Sequence, residues 1–159
     1  AIGDEAILTK LAKVPSPYKL ADAEEFLGFE RGEGDADFLI IARTGGAPRL
    51  IGGVGLHPDG EDLELGYWIA RPYWGLGFAT EAARAVIDIA RHTLRRPRLV
   101  SSHFIDNPAS GRVLSKLGFK PTGFGRGKRS KHQLVGINDA KFAVITAKRA
   151  AIGKGVHLV

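Results

Sequence analysis

The sequence predicts an α+β fold in which a mixed, mostly antiparallel central sheet is flanked by helices. Three consecutive strand-like segments occupy the middle of the chain and are separated by Gly, Pro and Asp residues typical of tight turns. A long segment with helical spacing of its alanines and aliphatic residues follows them. Because strands and helices do not strictly alternate, we expect a mixed sheet and not a doubly wound parallel one.

The first half of the chain predicts two helices and then a meander of strands. A helix is predicted over 7–14 from the spacing of its aliphatic residues, and it ends before Pro15. A second helix is predicted over 22–29, with Gly28 near its end. Strands are predicted at 37–43, 49–57 and 62–70, with turns at Gly45-Gly46 and Pro58-Asp59-Gly60.

The second half predicts helices and strands in mixed order. Helix 78–95 ends before Pro97, and the chain continues as a strand over 98–104 and a helix over 108–117. Two further strands are predicted at 119–123 and 139–147. We expect the intervening residues 124–138 to be irregular.

Composition indicates a single domain over residues 1–159, long enough to bury its own core. The formal net charge is +6, and the absence of cysteine excludes a disulfide framework, a thiol nucleophile and a zinc–thiolate site. The chain contains neither an apolar run of the roughly 20 residues that span a membrane nor a signal-peptide pattern. We expect a cytoplasmic protein without a membrane partner. The five histidines are scattered, so we predict no metal site.

A glycine-rich turn between strand 62–70 and helix 78–95 is a candidate anion site. It leaves backbone N–H groups unpaired at the positive end of the helix dipole, where a phosphate or pyrophosphate binds well. Side chains at Gly75 and Gly77 would hold a phosphate oxygen away from those amides. A tight connection without a ligand is an equally good interpretation. The turn also lacks the third glycine of the dinucleotide motif and the Gly-Lys-Ser/Thr of a Walker loop.

Helix 108–117 carries complete local end signals. Asn107 suits the N-cap, Pro108 the first helical position, and Gly118 the residue just past the end. Local physics explains this helix fully, so only its combination with the glycine-rich turn is informative.

Together the two segments resemble the GNAT superfamily of acetyl-CoA-dependent N-acetyltransferases, and within it the RimJ/RimL-type branch. The matching stretches are Tyr-Trp-Gly-x-Gly-Phe-Ala-Thr-Glu-Ala at 73–82 and Asn-x-x-Ser-x-x-Val-Leu-x-Lys-Leu-Gly-Phe at 107–119. The resemblance covers roughly residues 20–147. It implies the GNAT fold, acetyl-CoA as cosubstrate, and no metal.

Proteins of this branch usually begin with a strand that contains an Arg-Leu-x-Leu-Arg-like run. This sequence opens at Ala1-Ile2-Gly3-Asp4 and contains no methionine. We therefore expect the natural protein to have an N-terminal strand and methionines that this sequence lacks.

The resemblance also implies catalytic residues. Strand alternation places Glu64 on the face opposite Leu63 and Leu65. Glu64 is either a solvent-facing strand residue or, as the resemblance implies, the general base. Ser110 is either an ordinary first-turn residue or the acid that protonates the CoA thiolate. Many GNAT members use a tyrosine four residues later, where this chain has Leu114. Asn107 would contact the acetyl or pantetheine end as well as capping its helix.

The cofactor contacts are carried over in the same way. Backbone groups of Trp68, Ile69 and Ala70 would pair with the pantetheine amides and polarise the acetyl carbonyl. Backbone amides would bind the pyrophosphate along Trp74, Gly75, Leu76, Gly77, Phe78, Ala79 and Thr80. Lys116 would steer the phosphates, although a solvated helix charge explains it equally well.

The expected acceptor is a primary amine, either a small molecule or a protein N-terminus, including that of a ribosomal protein. Substrate choice is assigned to 7–30 and 124–138, and a monomer or homodimer is expected. The basic clusters at 91–98 and 126–132 would suit nucleic acid, an acidic partner or a soluble surface. The second cluster lacks interleaved aromatics, so nucleic acid is not the expected partner. The alternative function is a non-catalytic CoA-binding or ribosome- or RNA-associated module on the same fold.

Overall fold

The computed structural model describes residues 2–11, 13–32, 34–43, 46–96, 98–126, 131–138 and 156–158. Its helices are α1 (Glu5–Leu8), α2 (Leu20–Gly28), α3 (Phe78–His92) and α4 (Pro108–Lys116), and a short 3₁₀ helix covers Arg71–Tyr73. Its strands are β1 (Ala36–Ala42), β2 (Arg49–Asp59), β3 (Asp62–Ile69), β4 (Arg98–Phe104), β5 (Lys120–Arg126), β6 (Lys131–Asn138) and β7 (Val156–Leu158). In this described part of the chain, each helix is too short or too polar to cross a bilayer.

The strands form one seven-stranded sheet in the order β5-β6-β4-β3-β2-β1-β7. Neighbouring strands are antiparallel except β3 and β4, which run parallel. A parallel pair needs a long crossover connection, and α3 supplies it here. The predicted α+β class and the mixed, mostly antiparallel sheet are confirmed.

The core lies between one face of the sheet and helices α3 and α4. Leu63, Leu65 and Ile69 of β3 are buried there together with Val86 of α3 and Leu114 of α4. Burial of each such aliphatic side chain stabilises the fold by roughly 1.5–3 kcal/mol. The alternate residues of β3 point to the other face of the sheet, as the alternation predicts.

The first helix is shorter than predicted. Asp4 caps it, because its side chain accepts a hydrogen bond from the Ala6 amide at 2.9 Å, and the helix therefore begins before Ile7. After Leu8 the chain continues in turns, in which the Leu11 amide donates to the Leu8 carbonyl. The prediction of a helix through Val14 is wrong because these turns replace i→i−4 bonds.

The C-terminal part of the sheet differs most from the prediction. Strand β6 lies between β4 and β5, so residues 131–138 are not irregular. His157 belongs to β7, which pairs with β1. β6 pairs with β5 directly before it and also with β4, and β7 pairs with β1 from the other half of the chain. Local patterning does not reveal the partners that come from other parts of the chain. The predicted strand 139–147 lies outside the described residues.

Candidate active site

The parallel strands β3 and β4 diverge after a short paired stretch, which opens the middle of the sheet. Their register contains only Leu63 with Leu99 and Glu64 with Val100. Beyond that point a side chain bridges the gap, since the buried Ser101 hydroxyl donates to the Leu65 carbonyl at 2.8 Å. The opening leaves part of the β3 edge without a β4 partner.

The backbone orientation along this edge follows from two hydrogen bonds. The Leu65 carbonyl points towards β4, where it accepts from Ser101. The Ala70 amide points the other way and donates to the Ile51 carbonyl of β2 at 2.7 Å. Because successive residues of a strand alternate, Tyr67 and Ile69 present their amides to the opening, as Leu65 does. The Ala70 amide, by contrast, is engaged within the sheet.

The glycine-rich turn follows β3 directly and is shaped by left-handed backbone conformations. Gly75 has φ +74° and Gly77, the N-cap of α3, has φ +88°. Glycine adopts these values without strain. A Cβ atom at either position would have no atom within 4 Å apart from those of its chain neighbours. The backbone at both glycines is therefore open on this side, next to the first amides of α3.

Trp74 connects this turn to the end of β3. Its indole nitrogen donates to the Ile69 carbonyl at 2.6 Å, although the side chain remains 47% exposed. Phe78, in contrast, is buried and meets the Tyr73 ring edge-on at 6.0 Å between ring centroids. Phe78 thus anchors the start of α3 in the core, and only its backbone faces the turn.

The first turn of α4 reaches over the opening between β3 and β4. The Asn107 side chain accepts a hydrogen bond from the Ser110 amide at 3.4 Å, as its predicted capping role requires. Gly111 allows the close approach of the helix to β4, because a Cβ atom there would lie 2.9 Å from the His103 ring. The sequence pattern does not mark Gly111, since a glycine inside a helix gives no indication of the side chain that packs against it.

Ser110 contacts Tyr67 across the opening. The two hydroxyl oxygens are 2.9 Å apart, and the Tyr67 hydroxyl also donates to the Ser110 carbonyl at 3.2 Å. Burial raises the pKa of Tyr67 to about 12, and the hydrogen bond from Ser110 offsets part of that rise. The phenol is protonated near neutral pH, as an unshifted tyrosine is, and the shift extends its protonated range to alkaline pH.

Glu64 lies on the opposite face of the sheet from Ser110 and is held by two side chains. Its Oε2 atom is 2.5 Å from Lys13 Nζ, and its Oε1 atom accepts from the Ser102 hydroxyl at 3.4 Å. The side chain is 22% exposed, and that of Lys13 is 67% exposed. Trp68 shares this face and lies on Gly53, where a Cβ atom would be 2.6 Å from the indole nitrogen.

An Asp–His–Asp cluster adjoins Glu64 on the same face. His57 faces Glu64 across β2 and β3, and its Nδ1 atom is 2.8 Å from Asp35. Its Nε2 atom is 3.5 Å from Asp37. Arg31 donates to the other oxygen of Asp37 at 3.0 Å. These three acidic and imidazole groups lie within 4.8 Å of one another, a proximity that the scattered histidines of the sequence do not predict.

The remaining predicted residues lie at the edges of this region. Lys116 is exposed at the C-terminal end of α4. Leu114 is 1% exposed within the core, so its position faces other side chains. Arg98, from the first basic cluster, hydrogen-bonds Asp62 at the start of β3, away from the glycine-rich turn at the end of that strand.

A family model described as the acetyltransferase (GNAT) domain matches residues 2–120. The chain belongs to the GNAT family. The predicted family resemblance is thereby confirmed.

The chain is also similar to individual acetyltransferases of known sequence or structure. It is 33% identical over 118 residues to YjcK of Bacillus subtilis, described as a probable N-acetyltransferase, and the match covers 68% of this chain and 65% of YjcK. The chain thus spans just under two thirds of that relative. A GNAT-family acetyltransferase from Bacillus anthracis superposes with a TM-score of 0.72 at 20% identity, covering 87% and 85% of the two chains. RimJ of Mycobacterium smegmatis, solved in complex with CoA-disulfide, has a TM-score of 0.51 at 25% identity and covers 57% and 48%.

Proposed function

We propose that this chain is an N-acetyltransferase that moves an acetyl group from acetyl-CoA to a primary amine by direct transfer. The observation that carries the proposal is the opening between β3 and β4, with Ser110 above one face and Glu64 on the other. A thioester in that opening would have a proton donor on its sulfur side and a base on the side of the amine.

The glycine-rich turn supports acetyl-CoA as the donor. The open space at Gly75 and Gly77 lies against the first amides of a 15-residue helix. These amides and the helix dipole favour a pyrophosphate. The related RimJ chain was solved with CoA-disulfide, which agrees with this assignment. Within the predicted stretch from Trp74 to Thr80, we assign the contacts to backbone groups.

The β3 edge supports the pantetheine contacts, with one refinement. The predicted residues were Trp68, Ile69 and Ala70, but the Ala70 amide already donates to Ile51. We therefore assign the pantetheine hydrogen bonds to the edge that Tyr67 and Ile69 present. An amide of this edge would also polarise the acetyl carbonyl.

In the proposed chemistry Glu64 and Ser110 each move a proton, and no covalent enzyme intermediate forms. Glu64 accepts a proton from the ammonium form of the acceptor, directly or through water, and the neutral amine attacks the acetyl carbon. The new C–N bond forms, the C–S bond breaks, and Ser110 donates its hydroxyl proton to the departing thiolate. The second proton of the amine passes to solvent, Glu64 releases its proton to solvent, and Ser110 regains one from solvent.

The ion pair with Lys13 limits this role of Glu64. A carboxylate held at 2.5 Å by an ammonium group has one oxygen engaged. An exposed lysine pays little to move away, because exposed ion pairs contribute only about 0–1 kcal/mol. The acceptor's own ammonium group would displace Lys13 when it binds. Lys13 then competes with a cationic substrate for the same carboxylate.

The acceptor class is a protein N-terminus or a small amine. Residues 7–30 remain the proposed source of specificity, together with 124–138. Helix α2 has no buried residue and exposes Leu20 and Leu27, and Phe29 directly after the helix is exposed too. An acceptor with apolar groups near its amine would suit this side. The RimJ/RimL resemblance keeps ribosomal-protein N-termini in this class.

The first test is calorimetric titration with acetyl-CoA. We expect micromolar binding by the unmodified protein and its loss in Gly75→Glu, which fills the open space at the turn. Gly60→Glu is the matched control: Gly60 also has positive φ (+60°) and open space, but it lies in the β2–β3 turn. Equal binding by both variants would rule out the proposed phosphate site.

The second test measures acetyl transfer to a panel of amines and N-terminal peptides. We expect Glu64→Gln and Ser110→Ala each to lower kcat by about 100-fold. Glu61→Gln and Ser115→Ala, which change exposed residues of the β2–β3 turn and of α4, are the controls. Acetyl-CoA binding without turnover on any acceptor would favour the non-catalytic alternative.

A further inference from the structure

We infer that Tyr67 is a positioning residue that acts through Ser110, orienting the serine hydroxyl so that its proton is directed to the departing sulfur. The inference rests on the proposed function. It concerns a residue that the sequence patterns do not mark, since Tyr67 occupies an ordinary apolar position of a strand.

The hydrogen-bond geometry allows two arrangements of the protons. When the phenol donates to the Ser110 carbonyl at 3.2 Å, the serine hydroxyl can donate to the phenol oxygen at 2.9 Å. When the phenol proton rotates to the serine oxygen, the serine proton becomes available to another acceptor. A thiolate in the opening would be that acceptor. The same pair of hydroxyls is therefore satisfied both before and after a ligand arrives.

The donated hydrogen bond also favours release of the serine proton. Negative charge that develops on the serine oxygen is stabilised by a phenol 2.9 Å away in a partly buried site. The O–H bond of Ser110 breaks as the S–H bond of CoA forms. The serine oxygen then regains a proton from solvent, and the phenol keeps its own proton throughout. No oxidant or further co-reactant is required.

Packing holds the phenol at this position. Tyr67 lies on β3 between the buried residues Leu65 and Ile69, and its ring packs against the core formed with α3 and α4. The phenol is protonated under assay conditions near neutral pH. A rigid ring and a neutral hydroxyl are what a fixed hydrogen-bond donor requires.

A double-mutant cycle on single-turnover rates tests the inference. Tyr67→Phe keeps the ring and is expected to lower the acetyl-transfer rate by about tenfold, with the acetyl-CoA dissociation constant and the KM for the amine unchanged. In the Ser110→Ala background the same change should have no further effect. In a Ser110→Thr background, which keeps a hydroxyl, the effect of Tyr67→Phe should reappear. Tyr73→Phe, the control, removes a hydroxyl from another partly buried ring.

A second probe keeps the packing almost unchanged, so it can test the inference even if the Tyr67→Phe protein does not fold. Fluorotyrosine at position 67 strengthens the phenol as a donor, so the rate should change in the presence of Ser110 and stay constant in Ser110→Ala.

The outcomes separate this inference from the proposed function. Absence of turnover in the unmodified protein would overturn both. Turnover that Ser110→Ala lowers but Tyr67→Phe leaves intact would overturn the role of Tyr67 alone. An equal loss from Tyr67→Phe with and without the serine hydroxyl would show that Tyr67 does not act through Ser110.

Discussion

The phenol oxygen of Tyr67 lies 2.9 Å from the side-chain oxygen of Ser110, although the two residues are 43 positions apart in the chain. This contact ties the first turn of α4 to the edge of β3 where β3 and β4 have separated. The sheet opening, the capped helix and a partly buried pair of hydroxyls meet at this contact.

The titration of Tyr67 is the most direct check of this environment. Its pKa is raised from 10.0 to about 12, mainly by burial. The ultraviolet absorbance of the phenolates should therefore show one late transition among the three tyrosines, and Tyr67→Phe should remove it. Because the hydrogen bond from Ser110 lowers this pKa, Ser110→Ala should move the transition to still higher pH.

The same shift predicts a loss of stability at alkaline pH. A pKa raised on folding means that the folded chain holds the phenol proton more tightly than the unfolded chain. The stabilising contribution is fully present below about pH 10 and is lost as the pH rises towards 12. Over that pH interval, the free energy of unfolding measured with urea should fall by on the order of 2 kcal/mol more in the unmodified protein than in Tyr67→Phe. Parallel curves for the two proteins would contradict the burial of this phenol.

Trp74→Phe should weaken acetyl-CoA binding. The substitution removes the indole N–H that donates to the Ile69 carbonyl and connects the glycine-rich turn to β3. The net loss of one hydrogen bond predicts about a 2- to 10-fold higher dissociation constant, measured by calorimetry. The midpoint of thermal unfolding should change little, because the side chain is 47% exposed. An unchanged affinity would mean that this bond does not hold the turn in its binding conformation.

Lys13→Met should lower the KM for a cationic amine by a few-fold. The substitution removes the ammonium group that competes for Glu64 Oε2. The effect should shrink at high salt, because the charges involved are partly exposed. Lys10→Met is the control, since Lys10 carries the same charge but contacts Asp106. Equal effects of the two lysines would indicate general surface charge and not competition at Glu64.

Ser101→Ala should destabilise the fold by about 1 kcal/mol. The hydroxyl is buried, and it satisfies the Leu65 carbonyl at 2.8 Å where β3 and β4 begin to separate. Its removal leaves that carbonyl without the bond. Chemical denaturation measures the change, and the exposed Ser115→Ala should leave the midpoint unchanged. A loss no larger than in Ser115→Ala would contradict a structural role for this bridge.

Local patterns in the sequence predict the elements around the site well. Residues 62–70 were expected to form a strand and form β3 at Asp62–Ile69, and α4 begins at Pro108 after Asn107 as its end signals predict. Both are local: alternation of apolar residues and caps act over a few positions. The last turn of helix 78–95 was the exception, since α3 ends at His92 and the Leu94 amide folds back to the Ile89 carbonyl.

By itself, the sequence determined the α+β class, the glycine-rich turn, the capped helix and the family that these motifs identify. Short-range physics sets each of these, because turns, caps and periodicity depend on neighbours in the chain. Only the tertiary structure decided the opening between β3 and β4, the Tyr67–Ser110 contact, the ion pair of Lys13 with Glu64 and the placing of β6 within the sheet. These features depend on strand register and helix packing between distant segments, and a cross-strand partner leaves no mark on the local pattern.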